Sequence, residues 1–184
     1  MPPSLTWLLT STTYGTWLPG DRRGFVGRVI EVRPDDPLTG HRIEHDRPET
    51  EYDRDIPALR AAAQRQMKGE PIFLTAEQAR VALNQFRETV AHRGWTLHAA
   101  AVLSNHFHAV VSAPDAVLSD SILRDLKSYA SRALNRKWPR PTAETWWTKS
   151  GSRRKLPDDR AVESAIRYVQ NQYAPLALFP EPDL

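Results

Sequence analysis

Apolar and polar residues along this chain alternate with two different periods, one near two residues and one near three and a half. Leu5 to Thr13 is short, apolar and rich in threonine, which predicts a first strand. From Thr75, a capping residue, Ala79, Leu83, Phe86 and Val90 recur at helical spacing through His92, and Gly94 stops the run. Trp95 to Leu103 and His106 to Ala113 read as two further strands joined by a tight turn at Ser104-Asn105. Leu118, Ile122, Leu126, Tyr129 and Ala133 predict a long helix over Ser119 to Lys137 with those residues as its buried stripe. Thr145 to Thr148 predicts a fourth strand. Val162, Ile166, Val169 and Tyr173 then make the narrow stripe of a last helix.

This order predicts an α+β domain: an antiparallel sheet with helices packed on one face, ferredoxin-like or RRM-like in arrangement. Such an architecture serves many activities, so it does not decide function. At 184 residues one domain, 1–184, is expected. Residues 31–71 are Pro-rich, charged and poor in large aliphatics, and read as a long insertion in the loop after the first strand. Within it, Pro57 to Met67, closed by Gly69, fits a short helix with proline in its first turn. His41 and His45, also inside it, read as solvated. Ahead of it, Tyr14 to Val26 is punctuated by Gly, Pro and Asp, and its Trp17 and Phe25 either pin a loop to the core or stack on bases.

Composition narrows the chemistry. There is no cysteine, which excludes disulfides and thiolate zinc sites, so any metal must use histidine, carboxylate or amide. No apolar run approaches the ~18 residues of a membrane span. Met1-Pro2-Pro3-Ser4 lacks the basic segment of a signal peptide, so a cytoplasmic protein is expected. The net charge is only +3, but Asp120 to Arg160 carries 11 Lys/Arg against 5 Asp/Glu, an excess of +6. Arg124, Lys127, Arg132 and Arg136 face outward on the long helix, and Arg153, Arg154 and Lys155 form a basic loop before the last one. Trp138, Trp146 and Trp147 are interleaved with them. Cations with stacking rings suit a channel for single-stranded nucleic acid.

The most informative stretch is Leu103-Ser104-Asn105-His106-Phe107-His108-Ala109-Val110-Val111. On a strand, His106 and His108 project from one face while Phe107 and Ala109 go to the other. Two imidazoles side by side can share one metal ion. Downstream, Tyr168 and Gln172 are four apart on a flank of the last helix, off its stripe. Alone they read as surface residues; beside a metal they read as a nucleophile and a third ligand. Tyr129 lies on an apolar stripe with no Gln or Asn four residues on, and reads as core. His98 reads as structural, or as a partner supporting a ligand histidine.

His106-Phe107-His108 followed by Tyr168-Val169-Gln170-Asn171-Gln172 resembles the HUH endonucleases, and more narrowly the single-tyrosine transposases, which include the REP-associated tyrosine transposases. Tyr14-Gly15-Thr16-Trp17-Leu18-Pro19-Gly20-Asp21 resembles a signature found in a subgroup of such proteins. The resemblance implies that Tyr168 is the nucleophile and that His106, His108 and Gln172 hold a metal. It also implies single-stranded DNA, with hairpins, as the partner of a monomer or homodimer. Two imidazoles and one amide oxygen would leave Mg²⁺ or Mn²⁺ its full charge and open positions for phosphate oxygens. The expected activity is metal-dependent nicking and strand transfer through a 5′-phosphotyrosine. The alternative is a non-catalytic single-strand DNA or RNA binder that keeps the sheet and the basic surface.

Overall fold

The turn at Ser104-Asn105 starts the strand His106–Pro114 (β3), which lies at the centre of a five-stranded sheet in the computed structural model. The structure describes residues 4–21 and 57–181. Ser4–Thr12 (β1) and Thr96–Val102 (β2) flank β3, and Ser152–Leu156 (β4) and Ala177–Phe179 (β5) are the edges, in the order β4-β1-β3-β2-β5. Every pairing is antiparallel. The α+β antiparallel architecture is therefore the expected one.

Period-two alternation divides the sheet into two unlike faces. Leu9, Phe107, Ala109 and Val111 share one face with the helices Ala76–Arg93 (α2) and Ser119–Asn135 (α3). Phe107 sits between Phe86 of α2 and Trp147, with ring centroids 4.7 and 5.2 Å away. Burying each such side chain contributes roughly 1.5–3 kcal/mol. The other face carries Leu8, Ala99, Ala101 and Val110, and on it lies the helix Asp159–Gln170 (α4) through Ala165 and Val169. The expected one-sided layer is thus α2 and α3, while α4 covers part of the opposite face. That is the face to which β3 directs its histidines.

Local chemistry accounts for the helix ends. The Thr75 side chain accepts from the backbone N–H of Gln78, and Gln78 returns a bond to the Thr75 N–H. Gly94 ends α2 at φ +68°, the left-handed region where a side chain is strained. Asp158 caps α4 by accepting from Ala161 N–H at 2.8 Å.

Several expectations fail, each for a physical reason. Thr145 to Thr148 is not a strand: only an isolated bridge joins Trp147 to Thr13. The fourth strand is instead Ser152–Leu156, the stretch expected as a basic loop, and its pairing to β1 comes from main-chain bonds that ignore side-chain charge. Trp146 and Trp147 are 5% and 2% exposed and belong to the core. Neither is a stacking ring, and the Trp146 indole N–H donates to Asn135 at 2.8 Å. Leu118 precedes α3 and is exposed, and the buried stripe shifts to Ile122, Leu123, Leu126, Ala130, Ala133 and Leu134. Tyr173 lies past the end of α4 and is 93% exposed, so it leaves the stripe.

The chain divides into two compact units, Met1–Thr16 with Gly69–Leu184, and Trp17–Lys68. The second brackets most of the segment read as an insertion. It contains a turn from Leu18 to Asp21 and the helix Pro57–Arg65 (α1), none of whose residues is buried. His41, His45, Phe25 and most of the 31–71 stretch lie outside the described residues.

Candidate active site

Because β1 and β3 are in register with Thr10 opposite His108 and Thr12 opposite His106, the histidine face of the sheet is polar at this end. The imidazoles of His106 and His108 stand 4.9 Å apart, edge to face. Each is fixed through Nδ1. His106 Nδ1 lies 2.7 Å from Asn105 Oδ1, and an amide oxygen only accepts, so the proton is on Nδ1 and the lone pair on Nε2. His108 Nδ1 lies 2.7 Å from the Thr10 hydroxyl. Burial, and then the charge of neighbouring His106, lower the His108 pKa from 6.5 to about 4. His108 is therefore neutral at ordinary pH and retains a lone pair to donate.

Helix α4 carries Tyr168 across to this pair. Ala165 and Val169 anchor it against β2 and β3, and the Tyr168 ring meets His108 edge-on at 5.2 Å. Tyr168 is half exposed, so its hydroxyl is open to solvent. The helix ends at Gln170, so Gln172 does not continue its flank as expected. Its side-chain N–H instead donates to the Tyr168 carbonyl at 3.0 Å. That bond uses the amide nitrogen and leaves Oε1 as the group able to bind a cation.

Among the described residues no cluster of three or more His, Cys, Asp or Glu is placed to hold a metal. A metal at this site would therefore rest on the two histidines and a neutral oxygen donor. The residues present fit that role: both Nδ1 atoms are tied, as in metal-ligating histidines generally, and a divalent hard cation accepts imidazole and amide oxygen. Thr10 and Asn105 were missed in the sequence reading. Thr6, Thr10 and Thr12 share one face of β1, interrupted only by Leu8, and that spacing is the signal that points to Thr10.

The basic residues are not one patch. On β4, Arg154 is paired with Leu8 and so shares the histidine face, while Arg153 and Lys155, paired with Leu9 and Trp7, take the α2–α3 face. Arg124 and Arg132 sit on α3 and Arg136 caps its end, behind the sheet from the histidines. The Arg132 guanidinium lies 5.0 Å over the Tyr129 ring and Arg136 donates to Gln85 at 3.3 Å. Lys127 differs from its expected outward position. Its ammonium donates to the carbonyls of Thr148, Lys149 and Ser150, and burial followed by the Arg153 charge lowers its pKa to about 8. Tyr129 is half-buried on α3 and cannot reach the histidines through the sheet. His98 bonds to Ser112 at 2.7 Å, farther along the same face.

A family model described as "Transposase IS200 like" matches residues 68–172. No curated protein matches the chain. Among solved structures, one similar chain is a REP-associated tyrosine transposase bound to a REP hairpin. It is 12% identical with a TM-score of 0.44, and the match covers 92% of this chain and 67% of that one. Another, assigned as a transposase from Deinococcus radiodurans R1, is 14% identical with a TM-score of 0.45, covering 95% of each chain.

Proposed function

The chain belongs to the IS200-like transposase family, and on that premise we propose that it nicks and rejoins single-stranded DNA with Tyr168 as the nucleophile. The observation that carries this reading is the edge-on approach of Tyr168 to His108, itself paired with His106, at the polar end of the sheet face that α4 covers.

His106 and His108, with Gln172 Oε1, would hold Mg²⁺ or Mn²⁺. When bound, the ion supplies a positive charge that withdraws electron density from the scissile phosphate. The residues do the rest. Thr10 and Asn105 keep each imidazole in one orientation, so nothing has to reorganise when substrate arrives. The Tyr168 hydroxyl loses its proton to solvent and its oxygen forms a bond to phosphorus. The bond to the 3′ oxygen breaks, and that oxygen takes up a proton. A free 3′-OH and a 5′-phosphotyrosine result, and because the ester bond is conserved, another 3′-OH can reverse the step. Arg154, on the same face, would bind the strand's phosphates, and hairpin-bearing DNA in the cytoplasm is the proposed substrate.

Incubation with end-labelled hairpin oligonucleotides and Mn²⁺ tests this directly. A covalent adduct should survive a denaturing gel in wild type and vanish in Tyr168→Phe. An adduct that persists in Tyr168→Phe would refute the assignment, and binding without an adduct from wild type would instead favour a non-catalytic binder.

A further inference from the structure

Alternation along β4 sends two adjacent arginines to opposite sides of the sheet, and only Arg154 reaches the side already described. Arg153 points into a groove of about 410 Å³ between α3 and the 145–153 segment. Four cations line this groove, Arg124, Lys127, Lys149 and Arg153, against one carboxylate, Asp120. Lys127 is committed to loop carbonyls and forms part of the wall. Arg124 shares Asp125 with Arg93: its two contacts to Oδ1 are 3.3 Å long, while Arg93 holds Oδ2 at 2.7 Å. Arg124 is thus weakly held, and its side chain is 68% exposed.

Arg153 is the better placed of the two. It is mostly covered, and its guanidinium meets Asp120 at 2.6 Å, although that carboxylate is 72% exposed. An exposed carboxylate on a guanidinium adds little stability in water. It does occupy the guanidinium with an anionic oxygen as a phosphodiester oxygen would, and a phosphate with a second cation nearby competes well for that position.

We propose that this groove is a second phosphodiester site, in which a backbone phosphate of the bound nucleic acid displaces Asp120 from Arg153 and is joined by Arg124. It rests on the reading that the chain binds DNA at the histidine face. The same strand crosses the β4 edge, held by Arg154 on one side and Arg153 on the other. Asp120 is then an internal competitor that sets how tightly the groove binds. Burial first, and then the charge of Arg153, depress the Lys127 pKa, and the second of these is what an anion would relieve.

The test uses full-length Tyr168→Phe protein, so that binding is measured without covalent capture. Anisotropy of a labelled hairpin oligonucleotide is followed across a salt series. Arg153→Gln should weaken binding and reduce the log-log salt slope by about 0.7, one phosphate contact on a single strand. Asp120→Asn should tighten binding severalfold, because Arg153 is released. A purely structural ion pair gives the opposite sign for Asp120→Asn, and weaker or unchanged binding there overturns the proposal. So does an unchanged slope in Arg153→Gln. The wild-type adduct assay reports separately on Tyr168: an absent adduct with the Arg153→Gln slope change and the Asp120→Asn tightening both present refutes the nicking reading and leaves the groove standing.

Discussion

Protonating His108 should destabilise the metal-free protein progressively, and the size of the effect follows from its surroundings. The ring is 7% exposed, hydrogen-bonded at Nδ1 to Thr10, with the titratable side chains of His106 and Tyr168 facing it. In the unfolded chain it titrates near 6.5, in the folded protein near 4. The unfolded state therefore binds the proton more tightly, and stability falls as pH drops below 6.5 until it levels near 4. At about 1.36 kcal/mol per tenfold difference in proton affinity, the full loss is on the order of 3 kcal/mol. That is a large share of the ~5–15 kcal/mol that holds a domain together. Lys127, also depressed, is protonated in both states throughout this window and adds no slope there. Carboxylates do contribute, so the measurement is a difference. Urea midpoints are taken from pH 7.5 to 4 for wild type and His108→Gln in EDTA, and the two curves should converge as pH falls. Curves that stay parallel across the window would show that His108 titrates normally in the folded protein, and the argument from burial would be wrong.

Removing the Thr10 hydroxyl with Thr10→Val should lower adduct formation roughly 10-fold to 100-fold, as loss of a ligand's supporting partner generally does, with excess Mn²⁺ recovering part of it; unchanged metal titration would make Thr10 mere packing. Gln172→Ala should raise the metal concentration needed for half-maximal adduct while leaving Tyr168→Phe-type strand affinity unaltered, and a metal titration identical to wild type would remove Gln172 from the ligand set. Phe107→Ala deletes the ring between Phe86 and Trp147 and should cost about 3–5 kcal/mol in urea unfolding; a loss under about 1 kcal/mol would mean the core closes over the gap.

The histidine pair was legible because a strand's period leaves no choice: with Phe107 buried, His106 and His108 must share the other face. Thr75, Gln78 and Gly94 were legible because capping is local chemistry. What could not be read was set by partners distant in the chain. Ser152–Leu156 has no apolar alternation, since an edge strand needs only β1's main chain on one side and water on the other. Trp146 and Trp147 sit among charges in sequence, yet in space they close the end of the α2–α3 layer. Gln172 kept its spacing from Tyr168 but not its place on the helix, because the helix ends two residues before it. The split of Arg153 from Arg154 was implicit once that stretch is a strand, and invisible while it is taken as a loop.

The central position of β3 sets an order of opening for the molecule. Its amides are bonded to strands on both sides, whereas β4 and β5 each hold the sheet along a single side and are five and three residues long. Amide exchange should therefore be fastest at the two rims and slowest around Phe107 and Val110. Under mild denaturant both rims, the one bearing Arg153 and Arg154 included, would detach before the centre. The imidazoles at the centre would still be in place then, so on the proposed reading the metal-binding face outlasts the strand-binding rim.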